Sequence, residues 1–279
     1  MNFINYNGEI VPANQPMLPV TNRGFKYGDG LFESMRLMNG ELKFASLHAD
    51  RLQRGMKALK LDDSTMFDEY FLREKSSELL KRNNYGQNAR LRLTVFRDAE
   101  GLYSPAGNDS GYAIEMTENN EPYYLSNAKG LIVDVFEEIT KPVNYLSNIK
   151  TCNSLPFVMA GLYRKLHSLD EVFILNQNGF LCEAMSSNVF VVYDKKLYTP
   201  ALNEGCIEGI MRTVVMQVAE ITGMPVVEAQ INPDILNVAD EVFLTNTSKG
   251  IQWVMGFNNK RYFNKVSKDL LDALNSTAV

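Results

Sequence analysis

Short apolar-rich runs punctuated by polar turn residues open the chain. The tight turn Asn5-Tyr6-Asn7-Gly8 joins two short strands there, because Asn-Gly supplies the positive φ angles that a two-residue hairpin turn needs. Residues 22–30 form a polar, glycine-containing loop. Residues 31–37 resume the extended pattern, and Met38-Asn39-Gly40-Glu41 reads as a second hairpin turn. The period then changes. Leu52, Met56 and Leu59 recur at helical spacing after Ser46, a candidate N-cap, and Phe67, Phe71 and Leu79 place a second helix over 64–82. In 89–97 strict alternation appears, with Leu91, Leu93 and Val95 on one face and Arg90, Arg92 and Thr94 on the other.

Between Met116 and Lys129 the sequence turns polar, which marks a domain boundary. Beyond it come short strands at 131–136, 172–175, 180–183, Asn188–Tyr193 and Glu241–Asn246. Two helices interrupt them, Leu155–Leu166 and 211–222, the second stopped by Gly223. The expected class is α+β in two domains. Residues 1–120 form a smaller N-terminal α/β domain, and 121–279 a larger, strand-rich, barrel-like domain.

A length of 279 residues is too long for one minimal core and fits two domains or one large one. The net charge of −5 gives no basic footprint, so nucleic acid is not an expected partner. The apolar stretch 157–163 is far too short to span a bilayer, and the first residues lack the basic region and apolar core of a signal peptide. Three cysteines, Cys152, Cys182 and Cys206, without CxxC spacing do not suggest a disulfide framework, and a cytoplasmic location is the default expectation.

Several chemistries drop out. Two histidines, His48 and His167, cannot build a three-histidine zinc site, HExxH is absent, and no metal is expected. No glycine precedes a lysine, so there is no P-loop. Gly28-Asp29-Gly30 starts like a dinucleotide fingerprint, but Glu33 stands where the third glycine belongs. No G-x-S-x-G elbow occurs.

The informative stretch reads Glu183-Ala-Met-Ser-Ser-Asn188-Val-Phe190, then Leu197-Tyr-Thr199-Pro, then Ile207-Glu-Gly209-Ile210-Met211-Arg212. It resembles the signature of the class IV aminotransferases, the fold-type IV pyridoxal 5'-phosphate (PLP) enzymes. Supporting matches are Arg23-Gly-Phe-Lys-Tyr-Gly28-Asp-Gly30-Leu-Phe32-Glu33, His48-Ala-Asp-Arg51-Leu52, Ile149-Lys150-Thr-Cys-Asn153 and Leu244-Thr-Asn246-Thr247. The resemblance implies a role for each residue. PLP requires a lysine for its Schiff base, and the match assigns Lys150. A carboxylate keeps the pyridine nitrogen protonated, and Glu183 stands at that position. Alone, either residue would read as a solvated surface charge; the surrounding motif reverses that. The phosphate falls to the backbone at Gly209, Ile210 and Met211 opening a helix, to Arg51, and to Asn246 with Thr247. Ser187 and Asn188 lie in a loop that borders the cofactor in the family, although such residues also dominate ordinary turns. Tyr27, Phe32, Arg36 and Arg92 match pocket positions in branched-chain aminotransferases. Tyr103 lies in the loop 97–107, which is expected to cover the pocket.

Within the family, an Arg-x-His carboxylate trap characterises the D-amino-acid aminotransferases, and no histidine follows Arg97, so that reading drops. The resemblance implies transamination between small, branched-chain-like amino acids and 2-keto acids. Aminodeoxychorismate lyase chemistry is the alternative, through shared Tyr198-Thr-Pro, Gly209-Ile-Met-Arg212 and Val227-Glu-Ala-Gln230. A non-catalytic binding protein on the same fold is the different-class alternative; loss of Lys150, Glu183 or Arg51 would have favoured it. The resemblance also implies a homodimer.

Overall fold

The computed structural model describes residues 2–277; Met1, Ala278 and Val279, which the two expected domains included, lie outside the described residues. The chain forms two compact units. Unit 1 takes the chain up to Tyr123 together with Ile149–Asn153, and unit 2 takes Tyr124–Asn148 and the chain from Ser154 onward.

Unit 1 is built on a six-stranded antiparallel sheet in the order β2-β1-β6-β5-β3-β4. Its strands are β1 (Phe3–Tyr6), β2 (Glu9–Pro12), β3 (Gly30–Met38), β4 (Glu41–Leu42), β5 (Ala89–Arg97) and β6 (Ser110–Glu118). Both expected hairpin turns form. Tyr6 pairs with Glu9 across Asn7 and Gly8, and Met38 with Glu41 across Asn39 and Gly40, all four turn residues at positive φ. The alternation of β5 buries Leu91, Leu93 and Val95 against helices α2 (Ala45–Ala58) and α3 (Glu69–Asn83), with Leu52, Met56, Leu72 and Leu79 in the same core.

Three local readings need correction. The 22–30 segment contains a one-turn helix, α1 (Arg23–Tyr27), because the Asn22 side chain accepts the Phe25 N–H and Gly28 closes the turn in the left-handed region. Helix α2 starts two residues earlier than a Ser46 N-cap would allow: Phe44, at φ 55°, is the cap, and Ser46 lies exposed in the first turn. The 64–82 helix is broken into a 3-10 turn (Ser64–Met66) and α3. Asp68 is the better cap, since its carboxylate accepts the Phe71 N–H at 2.8 Å.

Unit 2 carries a nine-stranded sheet. Its strands are β7 (Leu131–Lys141), β8 (Glu171–Asn176), β9 (Leu181–Ala184), β10 (Asn188–Tyr193), β11 (Lys196–Pro200), β12 (Val226–Ala229), β13 (Glu241–Asn246), β14 (Gly250–Phe257) and β15 (Lys260–Arg261). The order is β12-β11-β10-β13-β14-β7-β8-β9, with β15 paired to β14. The two ends of this sheet meet. Leu181 of β9 bridges Ile231, just past β12, so the sheet curls towards a barrel. Val189, Val191, Val242, Leu244 and Val254 lie in its buried cluster. Helices α4 (Leu155–Leu166), α5 (Ile210–Ile221) and α6 (Lys265–Thr277) belong to this unit, and Gly223, at φ 76°, follows α5 as the sequence suggests. Among the described residues no helix is long and apolar enough to cross a membrane.

Candidate active site

In unit 1, the five residues Ile149–Asn153 dock on the start of β3. Phe32 N–H donates to Lys150 C=O at 3.0 Å, Cys152 N–H donates to Gly30 C=O at 2.9 Å, and Leu31 bridges Thr151. Ile149 packs on the unit 1 core, and Asn153 donates from Nδ2 to Gly28 C=O at 3.1 Å. Lys150 is thereby placed by the main-chain bonds of its own C=O and of Cys152 to β3. Its Nζ lies 4.4 Å from the centre of the Phe32 ring, and the Arg92 guanidinium stacks on the same ring at 3.7 Å. Three residues singled out from the sequence, Phe32, Arg92 and Lys150, are thus brought together. Arg92 is half-buried, and burial lowers its pKa from the usual arginine value.

Because β3 alternates, Glu33 points to the face opposite Phe32, under α2. There Glu33 Oε1 accepts Arg51 Nε–H at 2.7 Å, Glu33 Oε2 accepts Arg51 Nη2–H at 2.5 Å, and His48 Nδ1 lies 2.6 Å from Oε2. All three side chains are buried. Burial on its own would raise the Glu33 carboxyl, but Arg51 and His48 outweigh it and hold it at about 2. Burial, against the pull of Glu33, lowers His48, so the imidazole is neutral, donates from Nδ1 and leaves a buried Nε2 without a hydrogen-bond partner. The guanidinium edge of Arg51 that faces Glu33 is therefore committed inside unit 1.

Tyr27 and Tyr103 contact each other, with ring centroids 5.5 Å apart. The loop bearing Tyr103 is held by Arg23, whose guanidinium meets the carbonyls of Gly101 and Leu102 and the Asp29 carboxylate. Arg36 departs from expectation. Its guanidinium is buried and donates to Glu121 C=O at 2.9 Å and to the Glu121 carboxylate at 3.1 Å, so it braces the end of unit 1 rather than presenting itself to a substrate.

In unit 2, Glu183 is the third residue of β9 and is buried. Its Oε2 accepts the Ile207 N–H at 3.0 Å, and Asn188 Nδ2 donates to the Ile207 C=O at 2.8 Å. The backbone of Ile207 is therefore gripped at both its N–H and its C=O just before α5. Gly209 is the cap of α5, and a Cβ built there would lie 1.9 Å from Asn188 Oδ1, so no other residue fits this approach. The Ile210 and Met211 side chains are buried, which leaves their backbone N–H groups, unpaired within the helix by position, as what they contribute. Nearby turns are clasped together: Asn246 Nδ2 donates to Ser187 Oγ at 2.9 Å and to Ser186 C=O at 3.3 Å, and Asn246 Oδ1 accepts the N–H groups of Ser248 and Lys249. Ser186 in turn donates to Glu171 at 2.7 Å; burial raises the Glu171 carboxyl. Thr247 is buried, and its C=O accepts the Tyr124 hydroxyl at 3.2 Å.

Sequence reasoning missed Lys141. It closes β7, is buried, and its ammonium bonds Glu183 Oε1. A lone lysine 42 positions from its partner carries no local signal. Glu33 and His48 were visible as motif letters, but not as the partners of Arg51.

A buried carboxylate with acceptor capacity left, beside a helix start whose glycine cannot carry a Cβ, fits a ring nitrogen and a phosphate. A lysine amine fixed over an aromatic face fits the link to an aldehyde. These are the parts of a PLP enzyme, and comparison with known proteins agrees. The amino-transferase class IV family model matches residues 30–255, and the chain belongs to that family. Its members depend on PLP, and the chain is a class IV aminotransferase-type enzyme. A Methanocaldococcus jannaschii protein, named provisionally as a branched-chain-amino-acid aminotransferase, is 30% identical over 271 residues, 94% of this chain and 90% of that one. The D-alanine aminotransferase of Staphylococcus aureus is 26% identical over 264 residues, 89% of this chain and 86% of that one. In fold, the branched-chain amino acid aminotransferase of Escherichia coli superposes with a TM-score of 0.89 at 24% identity, covering 100% of this chain and 95% of that one. A Legionella pneumophila protein named provisionally as a 4-amino-4-deoxychorismate lyase superposes at 0.83 and 23%, covering 95% and 96%.

Proposed function

We propose that the chain transfers amino groups between small, branched-chain-like amino acids and 2-keto acids, with Lys150 as the catalytic residue. PLP, when bound, supplies an aldehyde carbon that joins the lysine amine and a ring that withdraws electrons from the substrate. Lys150 Nζ, once displaced by substrate, moves the proton at the substrate Cα. Glu183 holds the proton on the ring nitrogen. The Gly209, Ile210 and Met211 backbone, Arg51, Asn246 and Thr247 bind the phosphate, and Ser187 and Asn188 shape the loop beside the ring. Arg92, seated on Phe32, takes the substrate carboxylate, whose planar pair of oxygens suits a guanidinium fork. Tyr27, Phe32 and Tyr103 line the apolar side chain's path. Arg36 is left out, because its guanidinium is buried and engaged.

The observation that carries this reading is the placement of Lys150 by two main-chain bonds to β3 with its amine over Phe32. Borohydride reduction of the purified holoenzyme followed by peptide mapping checks it. The pyridoxyl label is expected on Lys150, and a label on any other lysine overturns the assignment. Cleavage of a chorismate-derived amine is the second reading, favoured by the shared motif letters around Tyr198 and Val227. Product analysis with that amine beside a panel of L- and D-amino acids and keto acids separates the two. Transamination predicts amino-group transfer among the panel and no 4-aminobenzoate.

A further inference from the structure

Lys141 belongs to none of the motifs that point to the reaction, yet its ammonium is bonded to the Glu183 carboxylate. Register between β7 and β8 shifts between Phe136 and Lys141, and Lys141 stands opposite Asn176 on β8. Nζ lies 5.6 Å from the centre of the Phe157 ring. A buried lysine is costly, and a buried ion pair is often no more stabilising than apolar residues of the same volume. Stability is therefore a weak reason for placing a cation in this core.

We infer that Lys141 is a positioning residue that keeps the proton shared between Glu183 and the cofactor's ring nitrogen on the nitrogen rather than on the carboxylate. The inference rests on the assignment of Glu183 as the ring-nitrogen partner. Glu183 has spent one oxygen on Lys141 and the other on the Ile207 N–H, and a carboxylate has about four acceptor directions, so a further donor can be served. Two donors on one carboxylate stand nearer to it than to each other. The attraction of Lys141 for an ionised Glu183 then exceeds its repulsion of a ring cation, and the balance favours carboxylate plus pyridinium over the neutral pair. Without Lys141 the neutral pair gains, because burial disfavours both charges.

The other ionisable groups around the pair do not supply this cation. Burial pushes the Cys206 thiol up to about 11 and raises the Cys182 thiol further, so both are neutral at pH 7. Glu204 is engaged by Asn176 and Gln230, and Arg212 donates to Pro200 C=O and Glu228.

The test uses holoenzyme loaded with PLP labelled with ¹⁵N in the ring, read by the ring-nitrogen chemical shift at pH 7. The wild-type resonance is expected at the protonated position. Lys141→Met should move it at least half of the way to the free-base position, and Lys141→Arg should restore it. A Lys141→Met resonance equal to wild type, while Glu183→Gln moves it, overturns the role of Lys141 alone. An unmoved resonance in Glu183→Gln overturns the Glu183 assignment and the inference with it. If Lys141→Met does not fold, Lys141→Gln carries the same expectation.

Discussion

At the scale of single residues, the Glu33–His48–Arg51 group changes what Arg51 is. Read from the sequence, it is a phosphate cation on a helix; in the fold it also neutralises a carboxylate that α2 and β3 bury completely. Arg51 cannot be removed without stranding that carboxylate, which ordinarily costs about 3–5 kcal/mol. The Glu33 carboxyl is held at about 2, below its ordinary value of 4.5. A depressed folded-state value means stability that is fully present above the unfolded value and lost as pH falls towards 2. Apoprotein urea stability should therefore decline between pH 4.5 and 2 by roughly 3 kcal/mol on account of Glu33. Glu33→Gln should remove that part of the decline, measured as the difference between the two pH profiles; equal profiles would show that Glu33 does not drive it. His48, lowered by burial, adds its own loss as pH falls below its ordinary value of 6.5, because the unfolded imidazole takes up a proton that the folded one resists.

At the scale of elements, the lysine-bearing segment depends on a glycine far from it in sequence. Gly28 stands at φ 63°, and a Cβ there would lie 2.9 Å from Asn153 Oδ1. Gly28→Ala should cost about 1–2 kcal/mol for the left-handed backbone alone. It should also loosen the docking of Ile149–Asn153 on β3. Hydrogen exchange reads this directly: the Phe32 and Cys152 N–H groups, which bond across that junction, should exchange faster, while Leu91 and Leu93 in the sheet centre stay protected. Unchanged protection at Phe32 and Cys152 would mean that the segment is held by the Ile149 contact instead. Part of this element scale is legible in the chain. Both hairpins of unit 1 and the stop of α5 follow from local turn chemistry, in which Asn-Gly and Gly tolerate positive φ. The start of α3 is not, because Ser64 and Asp68 are both acceptable caps by residue type, and only the bond from Asp68 to Phe71 N–H decides between them.

At the scale of the whole molecule, the outward face of α4 is unusual for a chain that ends its surface there. Leu155, Val158, Leu162 and Leu166 recur at helical spacing and are exposed, Leu166 at 80%. A contiguous apolar stripe of this kind marks an association surface. This supports the homodimer that the family resemblance implies. Sedimentation velocity should give a species of twice 31.5 kDa, and Leu162→Lys should shift it to the single-chain mass without changing the far-ultraviolet circular dichroism. A wild-type monomer at micromolar concentration would refute the assignment.

The chain on its own singled out Lys150, Glu183 and the turn at Gly209 as candidates, through runs of residue types that resemble the family's signature. Glu183, Asn188 and Gly209 sit in one dense run, where they must keep their spacing for the backbone of Ile207 to be gripped at both its N–H and its C=O. The chain also determined the α+β class, since periods of two and of about 3.6 alternate plainly along it. Only the tertiary structure decided that Ile149–Asn153 leaves unit 2's stretch of chain to become an edge of unit 1. Only it decided that β9 and Ile231 close the larger sheet, that Arg36 turns inward, and that Lys141 meets Glu183. The physical reason is common to all four. Local propensity and periodicity act over a few residues, whereas these pairings join positions tens of residues apart and are selected by the burial of charge and the pairing of backbone groups, neither of which exists until the chain has folded.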